Sequence, residues 1–289
     1  MALRITSAER GGTFWTQAQA LAAVLSRDAA LTPVAVLDTP GASVETAELL
    51  GTGAAELGFM AANWVPRAVR GESPFVETLD LRVVAPMNVG PLFFIVRADA
   101  AIATVSDLAG KRVVLGGAKS GMAQHARLIL GLLGIEAIPL LLDFASGGDA
   151  VLRGEADAQL QCPIPNRVMT ELSERGDIRV LPYPPDALAR VLAAVPYYRR
   201  ATMRKGALRG LERDSAQPGV LNLLVAHPRV PDETVATVVR AIARHADELA
   251  RLNPLFDGLG GLLREVRAED GVALHPGAAA AYRALGLMR

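Results

Sequence analysis

Short apolar runs alternate with amphipathic stretches from one end of the chain to the other. Leu3 to Ser7 reads as a first strand. After the Gly11-Gly12 turn, Thr13 is expected to cap a helix from Phe14 to Ser26, whose Ala18, Leu21, Ala22 and Leu25 recur at helical spacing. A second strand over Pro33 to Leu37 follows, then a helix capped by Ser43 and running to Leu50. Glu45 and Glu48 lie in its early turns, where they suit the helix dipole. Ala55 to Met60 is expected as a third strand and Trp64 to Arg70 as a third helix. This alternation predicts a mostly parallel sheet with helices on its faces.

Leu81 to Ala85 and Leu92 to Arg97 are the next extended runs, the second rich in the β-branched and aromatic residues of a buried strand. A new α/β run then begins. Ser106 to Leu108 is a short helix, Lys111 to Gly116 a strand, and Gly121 to Leu133 a helix capped by Ser120 and closed by Gly134. Strands over Ile138 to Leu142, Ala156 to Gln161 and Ile178 to Leu181 alternate with helices over Asp149 to Arg153, Pro165 to Arg175 and Asp186 to Ala194. Val220 to Ala226 is one more apolar strand, and the remainder is mostly helical, over Asp232 to Leu252 and Ala278 to Leu285. Two runs of similar plan predict two lobes, each built on a strand, a small-residue turn and a helix with a hydroxyl at its N-cap.

Composition narrows the class. A chain of 289 residues has room for two lobes with a sizeable core. The 30 basic and 30 acidic residues cancel, which argues against a nucleic-acid partner. Lysine occurs only at Lys111, Lys119 and Lys205, so arginine supplies 27 of the basic residues and a lone arginine is a weak signal. The single cysteine, Cys162, forms no intrachain disulfide. Met1 to Ser7 has no apolar leader core, so the expected location is the periplasm if a signal peptide was removed, and the cytoplasm otherwise. No apolar run of about 18 residues is present, so no membrane span is expected.

Three turns carry candidate chemistry: Gly11-Gly12-Thr13, Pro40-Gly41-Ala42-Ser43 and Gly116 to Gly121. Each would open a helix N-terminus, whose free N–H groups bind carboxylate or phosphate; each also reads as an ordinary βα turn. Met122 and Ala123 stand where a P-loop needs Lys and Ser or Thr, so nucleotide phosphate is not expected. His125 lies one turn beyond Ser120 and reads first as a packing residue; His227 and His275 read as loop residues and His245 as exposed. No two histidines have metal-ligand spacing, and G-x-S-x-G is absent. Cys162 reads as a structural thiol, with a nucleophile as the alternative. No cofactor, no metal and no catalytic residue is expected.

In this order the segments resemble the TAXI class of TRAP-transporter solute-binding proteins, over almost the whole chain. Gly11-Gly12-Thr13-Phe14-Trp15 is similar to the family's G-G-T-Y-Y turn, Thr39 to Glu45 to T-G-G-S-V-E, and Ala54 to Gly58 to its following strand. Val96 to Asp99, Asp107 to Val113, Gly116 to Gly121, Gly176 to Pro182, Pro196-Tyr197-Tyr198 and Leu274 to Gly277 follow in order. The resemblance implies a type II periplasmic-binding-protein fold of class α/β, two lobes joined by a crossing-strand hinge. Lobe 1 would be 1–94 with 223–289 and lobe 2 would be 95–222, with crossings at Leu92–Arg97 and Val220–Ala226. It implies a receptor, not an enzyme, that captures a small carboxylate (amino acid, dicarboxylate or apolar or aromatic acid) between the lobes and passes it to a membrane permease.

The implied ligand-binding residues are Arg10, Gly11, Gly12, Thr13, Phe14, Trp15, Ser43, Asn63, Trp64, Ser120, Gly121, Met122, Gln161 and Tyr198. Departures from the family pattern bear on the ligand. Arg10 would add a carboxylate clamp, while Glu9 would oppose an anion. Ala61-Ala62-Asn63-Trp64 stands where Gln-Ser-Asp is frequent, Phe93 replaces a frequent His, and Met122 replaces Thr. These replacements point to a ligand less polar than glutamate, an aromatic or branched carboxylate stacked near Phe14, Trp15 or Trp64. A decarboxylase-like enzyme using His125 or Cys162, or a cytoplasmic metabolite sensor, are the alternatives on the same fold.

Overall fold

The computed structural model describes residues 3–117, 120–161 and 166–288, so Lys119 and Cys162 lie outside the described residues. The chain forms two compact units, residues 1–88 with 221–289, and residues 89–220.

In the first unit, β1 (Leu3–Thr6), α1 (Thr13–Leu25), β2 (Val34–Leu37), α2 (Ala42–Thr52), β3 (Leu57–Ala61) and α3 (Val65–Arg70) lead into β4 (Arg82–Pro91). Strand β1 is central and pairs in parallel with both neighbours, Ile5 lying opposite Val36 on one side and Leu57 on the other. A strand covered on both faces is rich in apolar residues, and Leu3, Ile5, Leu57 and Phe59 are buried. At Gly58 helix α2 comes so close that a Cβ would lie 2.3 Å from Thr6 Oγ1 and Thr46 Cγ2.

The second unit takes up the end of β4 and continues with β5 (Phe93–Arg97), a 3-10 turn (Val105–Leu108), β6 (Arg112–Val114), α4 (Gly121–Leu133), β7 (Ile138–Leu140), α5 (Phe144–Leu152), β8 (Ala158–Gln161), α6 (Arg167–Arg175), β9 (Ile178–Val180), α7 (Pro185–Ala194), β10 (Tyr198–Met203) and the first half of β11 (Ser215–Ala226). The first unit is then completed by α8 (Asp232–Arg244), α9 (Ala246–Leu252), α10 (Leu259–Leu262) and α11 (Pro276–Ala284). The chain thus passes between units inside β4 and inside β11. The boundaries expected from sequence, 94/95 and 222/223, fall within β5 and β11, and Leu92–Arg97 lies wholly in the second unit.

The two units repeat one plan. In the first, the strand order is β2-β1-β3 with β11 antiparallel beside β3; in the second it is β7-β6-β8 with β5 antiparallel beside β8. The repeat extends to one ion pair. Arg4 holds Glu56 bidentately, at 3.1 and 2.7 Å, while its backbone N–H also donates to that carboxylate and its guanidinium reaches Gly53 O. Arg112 does the same with Asp157, at 3.2 and 2.8 Å, and reaches Gly154 O. Each pair ties the start of a central strand to the residue before its parallel neighbour. Burial pushes the Glu56 carboxyl up, but the Arg4 donors outweigh it and hold the group below the usual carboxylate range.

Several local expectations are corrected. Thr13 is the first helical residue of α1; the N-cap is Gly12, in extended conformation, with no side-chain cap. Helix α2 starts before Ser43, at N-cap Gly41, and the Ser43 hydroxyl instead accepts the Ala61 N–H at the end of β3. Helix α5 begins at Phe144, capped by Asp143, and runs through Gly147 and Gly148. Those glycines broke the helical pattern in sequence, yet a Cβ at either would lie within 2.8 Å of Gln159 or Leu172. Strand β10 buries Tyr198, Ala201 and Met203, and Arg199 and Arg200 mask its signal. The long terminal helix divides at His245, which is half-buried and pairs with Glu248 at 3.0 Å. His275 is buried and caps α11 through Gly277 N–H.

In the second unit α4 packs on α7, and His125 is buried beside β10 with Nδ1 2.8 Å from Tyr198 OH. Burial pushes its pKa down to about 4. The unfolded chain therefore takes up a proton near pH 6.5 that the folded chain refuses until about pH 4. The contribution is fully present above pH 6.5 and is lost as pH falls. Urea unfolding at pH 7 and pH 5 is expected to show a loss of about 2 kcal/mol that a His125→Gln variant does not show. For the ion pairs, Glu56→Gln is expected to cost about 2 kcal/mol in urea unfolding, because it leaves donors of Arg4 half-buried without their anion. Asp157→Asn in the other unit is expected to cost less, because it is the more exposed carboxylate, and the two losses are expected to add.

Candidate functional site

Parallel strands release their helices at one common edge. In the first unit that edge carries the turns before α1, α2 and α3, and β1 lies between β2 and β3, so the chain direction reverses beside it. Such a switch point is where open α/β sheets bind ligands. Gly11 turns the chain with φ +84°, and the Gly12 N–H closes the turn on Glu9 O at 2.9 Å. The first turn of α1 contains no acid, and the N–H groups of Thr13, Phe14 and Trp15 meet no acceptor among the described residues. Every other described α-helix of eight residues or more has a side-chain cap, as α4, α5, α6 and α11 do, or an acid in its first turn, as α2, α7 and α8 do.

The neighbours of this turn are placed as follows. Arg10 is exposed, with its guanidinium 5.4 Å from the Trp15 ring and Nε 3.5 Å from the Asp38 carboxylate. A ligand carboxylate on Arg10 would compete with Asp38. Phe14 stacks tilted on Phe59 at 5.9 Å and packs against the core. Trp64 is half-buried between Phe75, edge-on at 6.4 Å, and the Arg67 guanidinium at 4.8 Å. Asn63, just past β3, is buried with its Oδ1 unpaired. Ser43 is buried and committed to Ala61.

Sequence reasoning missed the polar groups beneath this edge. Ser7 N–H donates to Thr39 Oγ1 at 3.2 Å, and Thr39 N–H to Ala8 O at 3.0 Å, which fixes the first two turns together. Deeper, Asn88 Oδ1 accepts from Gln17 at 3.0 Å and from Asn222 at 3.2 Å, joining α1 to the last first-unit residue of β4 and to β11. Asn222 was visible as a polar residue inside an apolar strand, and Gln17 as one inside an apolar helix stripe.

The second unit presents the same edge from β6, β7 and β8. Ser120 caps α4 by accepting the Ala123 N–H at 3.1 Å, and α4 has no acid in its first turn. Gly116, at φ +114°, leaves space for the Ser120 hydroxyl, which a Cβ would meet at 2.8 Å. Gly121 is half-buried and Met122 buried. One turn on, neutral His125 holds Tyr198, and the rings of Tyr197 and Tyr198 stand 6.3 and 5.6 Å from the imidazole. Gln161, the last residue of β8, is buried and donates to Gln159. No cluster of three or more metal-ligating side chains occurs among the described residues, and no described helix is long and apolar enough to cross a membrane.

Solved structures share this architecture. The periplasmic aliphatic sulphonate binding protein SsuA of Escherichia coli is 17% identical, with 100% of this chain and 84% of that chain covered and a TM-score of 0.53. A TctC solute binding protein from Polaromonas is 16% identical over 92% and 98% of the two chains, with a TM-score of 0.55. XAC2383 from Xanthomonas citri, solved bound to ATP, is 13% identical over 100% and 99%, with a TM-score of 0.56. The fold is that of the type II periplasmic binding proteins, and two of these three neighbours are named as binding proteins. The description of the family whose sequence pattern matches residues 5–286 is NMT1-like, and the chain belongs to the NMT1-like family.

Proposed function

We propose that the chain is an extracytoplasmic solute-binding receptor of the TAXI class of TRAP transporters, which takes a small carboxylate and delivers it to a membrane permease without chemical change. The observation that carries this reading is the start of α1, a 13-residue helix whose first-turn N–H groups have neither a side-chain cap nor an acid to meet them. Unpaired donors at the positive end of a helix are an anion site by their own physics. The equivalent helix of the second unit, α4, also lacks a first-turn acid.

On this reading Gly11, Gly12, Thr13 and Phe14 hold the carboxylate in the first unit, where Arg10 exchanges Asp38 for it, and Ser120, Gly121 and Met122 are the corresponding candidates in the second unit. Trp15, Ser43, Asn63 and Trp64 are the further candidates in the first unit, and Gln161 and Tyr198 those in the second. Aromatic and apolar groups beside these turns favour an aromatic or branched acid over glutamate. Among the neighbours, SsuA is named for an aliphatic sulphonate, an anion on an apolar tail. The role implies a periplasmic location.

A thermal-shift screen of hydrocinnamate, isocaproate, glutamate and glutamine tests the reading. Hydrocinnamate or isocaproate at about a hundredfold over Kd is expected to raise Tm by about 5 °C or more, and glutamate and glutamine by less. Absence of a shift with every carboxylate contradicts the function, and a shift with glutamate or glutamine alone contradicts the ligand class. Thr13→Asp places an acid in the first turn of α1. It is expected to raise the stability of the free protein by about 0.5 kcal/mol in urea unfolding and to weaken carboxylate binding at least tenfold in calorimetry.

A further inference from the structure

Helix α8 packs on α1, and a cavity of about 380 Å³ is lined by the end of α1, the turn that follows it and one face of α8, all within the first unit. That volume is in the range of a small-molecule site. Thr237, Arg240, Ala241 and Arg244 line it from α8, and their spacing puts them on one stripe of that helix. Arg27 lines it from just past α1, and Val24, Ala29 and Ala30 add an apolar wall.

The lining holds three guanidiniums on two elements against one carboxylate, Asp28, whose Oδ1 is engaged by the Ala30 N–H at 2.9 Å. A guanidinium has five N–H donors. Arg27 gives two of its donors to Glu248, at 2.9 and 2.7 Å. Arg240 binds Glu233 and Thr237 through Nη2 alone. Arg244 is exposed and has no partner among the described residues. Glu233 and Glu248 hold their arginines without lining the cavity themselves. The cavity is therefore left with more charged donors than acceptors.

We propose that this cavity binds a small dianion with an apolar group, a phosphate monoester or a dicarboxylate, gripped by Arg27, Arg240 and Arg244. The planar forks of arginine match the paired oxygens of either group. One negative charge balances Arg244, and a second recruits the spare donors of Arg27 and Arg240. The apolar part of the ligand lies on Val24, Ala29, Ala30 and Ala241. Thirteen residues of helix put this site about 20 Å from the open start of α1, so it is separate from the turn proposed for the solute.

Calorimetry of the full chain tests it with phenyl phosphate at pH 8, where the ester is a dianion, and with succinate. At least one of the two is expected to bind. Arg244→Gln and Arg240→Gln are each expected to weaken that binding at least tenfold, while Thr13→Asp leaves it within about twofold. Hydrocinnamate affinity is expected to stay unchanged in Arg244→Gln. In backbone amide NMR of the wild-type protein, the probe is expected to move Ala29, Ala30 and Ala241 and to leave Thr13 in place. Binding of phenyl phosphate alone assigns the site to phosphate esters, and binding of succinate alone to dicarboxylates. Failure of both probes with the folded wild-type protein overturns the proposal, as does binding that survives in folded Arg244→Gln and Arg240→Gln. Binding lost in Thr13→Asp and kept in Arg244→Gln places the dianion at the start of α1 and overturns it as well.

Discussion

Backbone N–H groups at the start of a helix have to find an acceptor, and those of α1 find none among the described residues. Proteins usually meet this need with a capping side chain or an acid in the first turn, as the other long helices of this chain do. Leaving α1 open costs stability, which the clamps at the other end of the strands help offset. Arg4 with Glu56, and Arg112 with Asp157, lock the starts of the two central strands and leave their far ends to the turns.

Arginines are abundant, but those in the described residues are largely spent on nearby carboxylates: Arg97 on Asp99, Arg153 on Glu155, Arg175 on Asp149, Arg204 on Asp214 and Arg10 on Asp38. An anion site built from backbone N–H groups needs no surplus of basic side chains, so a chain with no net charge is compatible with an anionic solute. The interior supplies the opposite polarity where donors are wanted less, through amide oxygens such as Asn63 Oδ1.

Much of this was legible in the sequence where the signal is local. Alternating apolar runs located most strands, and Ser120 and Gly134 bounded α4. The open start of α1 was legible only as a turn, because the hydroxyl of Thr13 suggested a cap that Gly12 occupies instead. Ser43 misled for the same reason: its oxygen serves β3, a partner 18 residues away. The clamps join residues 52 and 45 positions apart, so no window of sequence shows them. The bond from Gln159 to the Phe144 carbonyl needed the fold as well, since it depends on the approach of α5 to that strand at Gly147.

If the α1 N–H groups take the solute's carboxylate, titrating the labelled protein with hydrocinnamate gives saturable downfield shifts of the backbone amides of Thr13, Phe14 and Trp15 in NMR, with slower solvent exchange at the same amides. Saturable binding that leaves these three amides unmoved would contradict it.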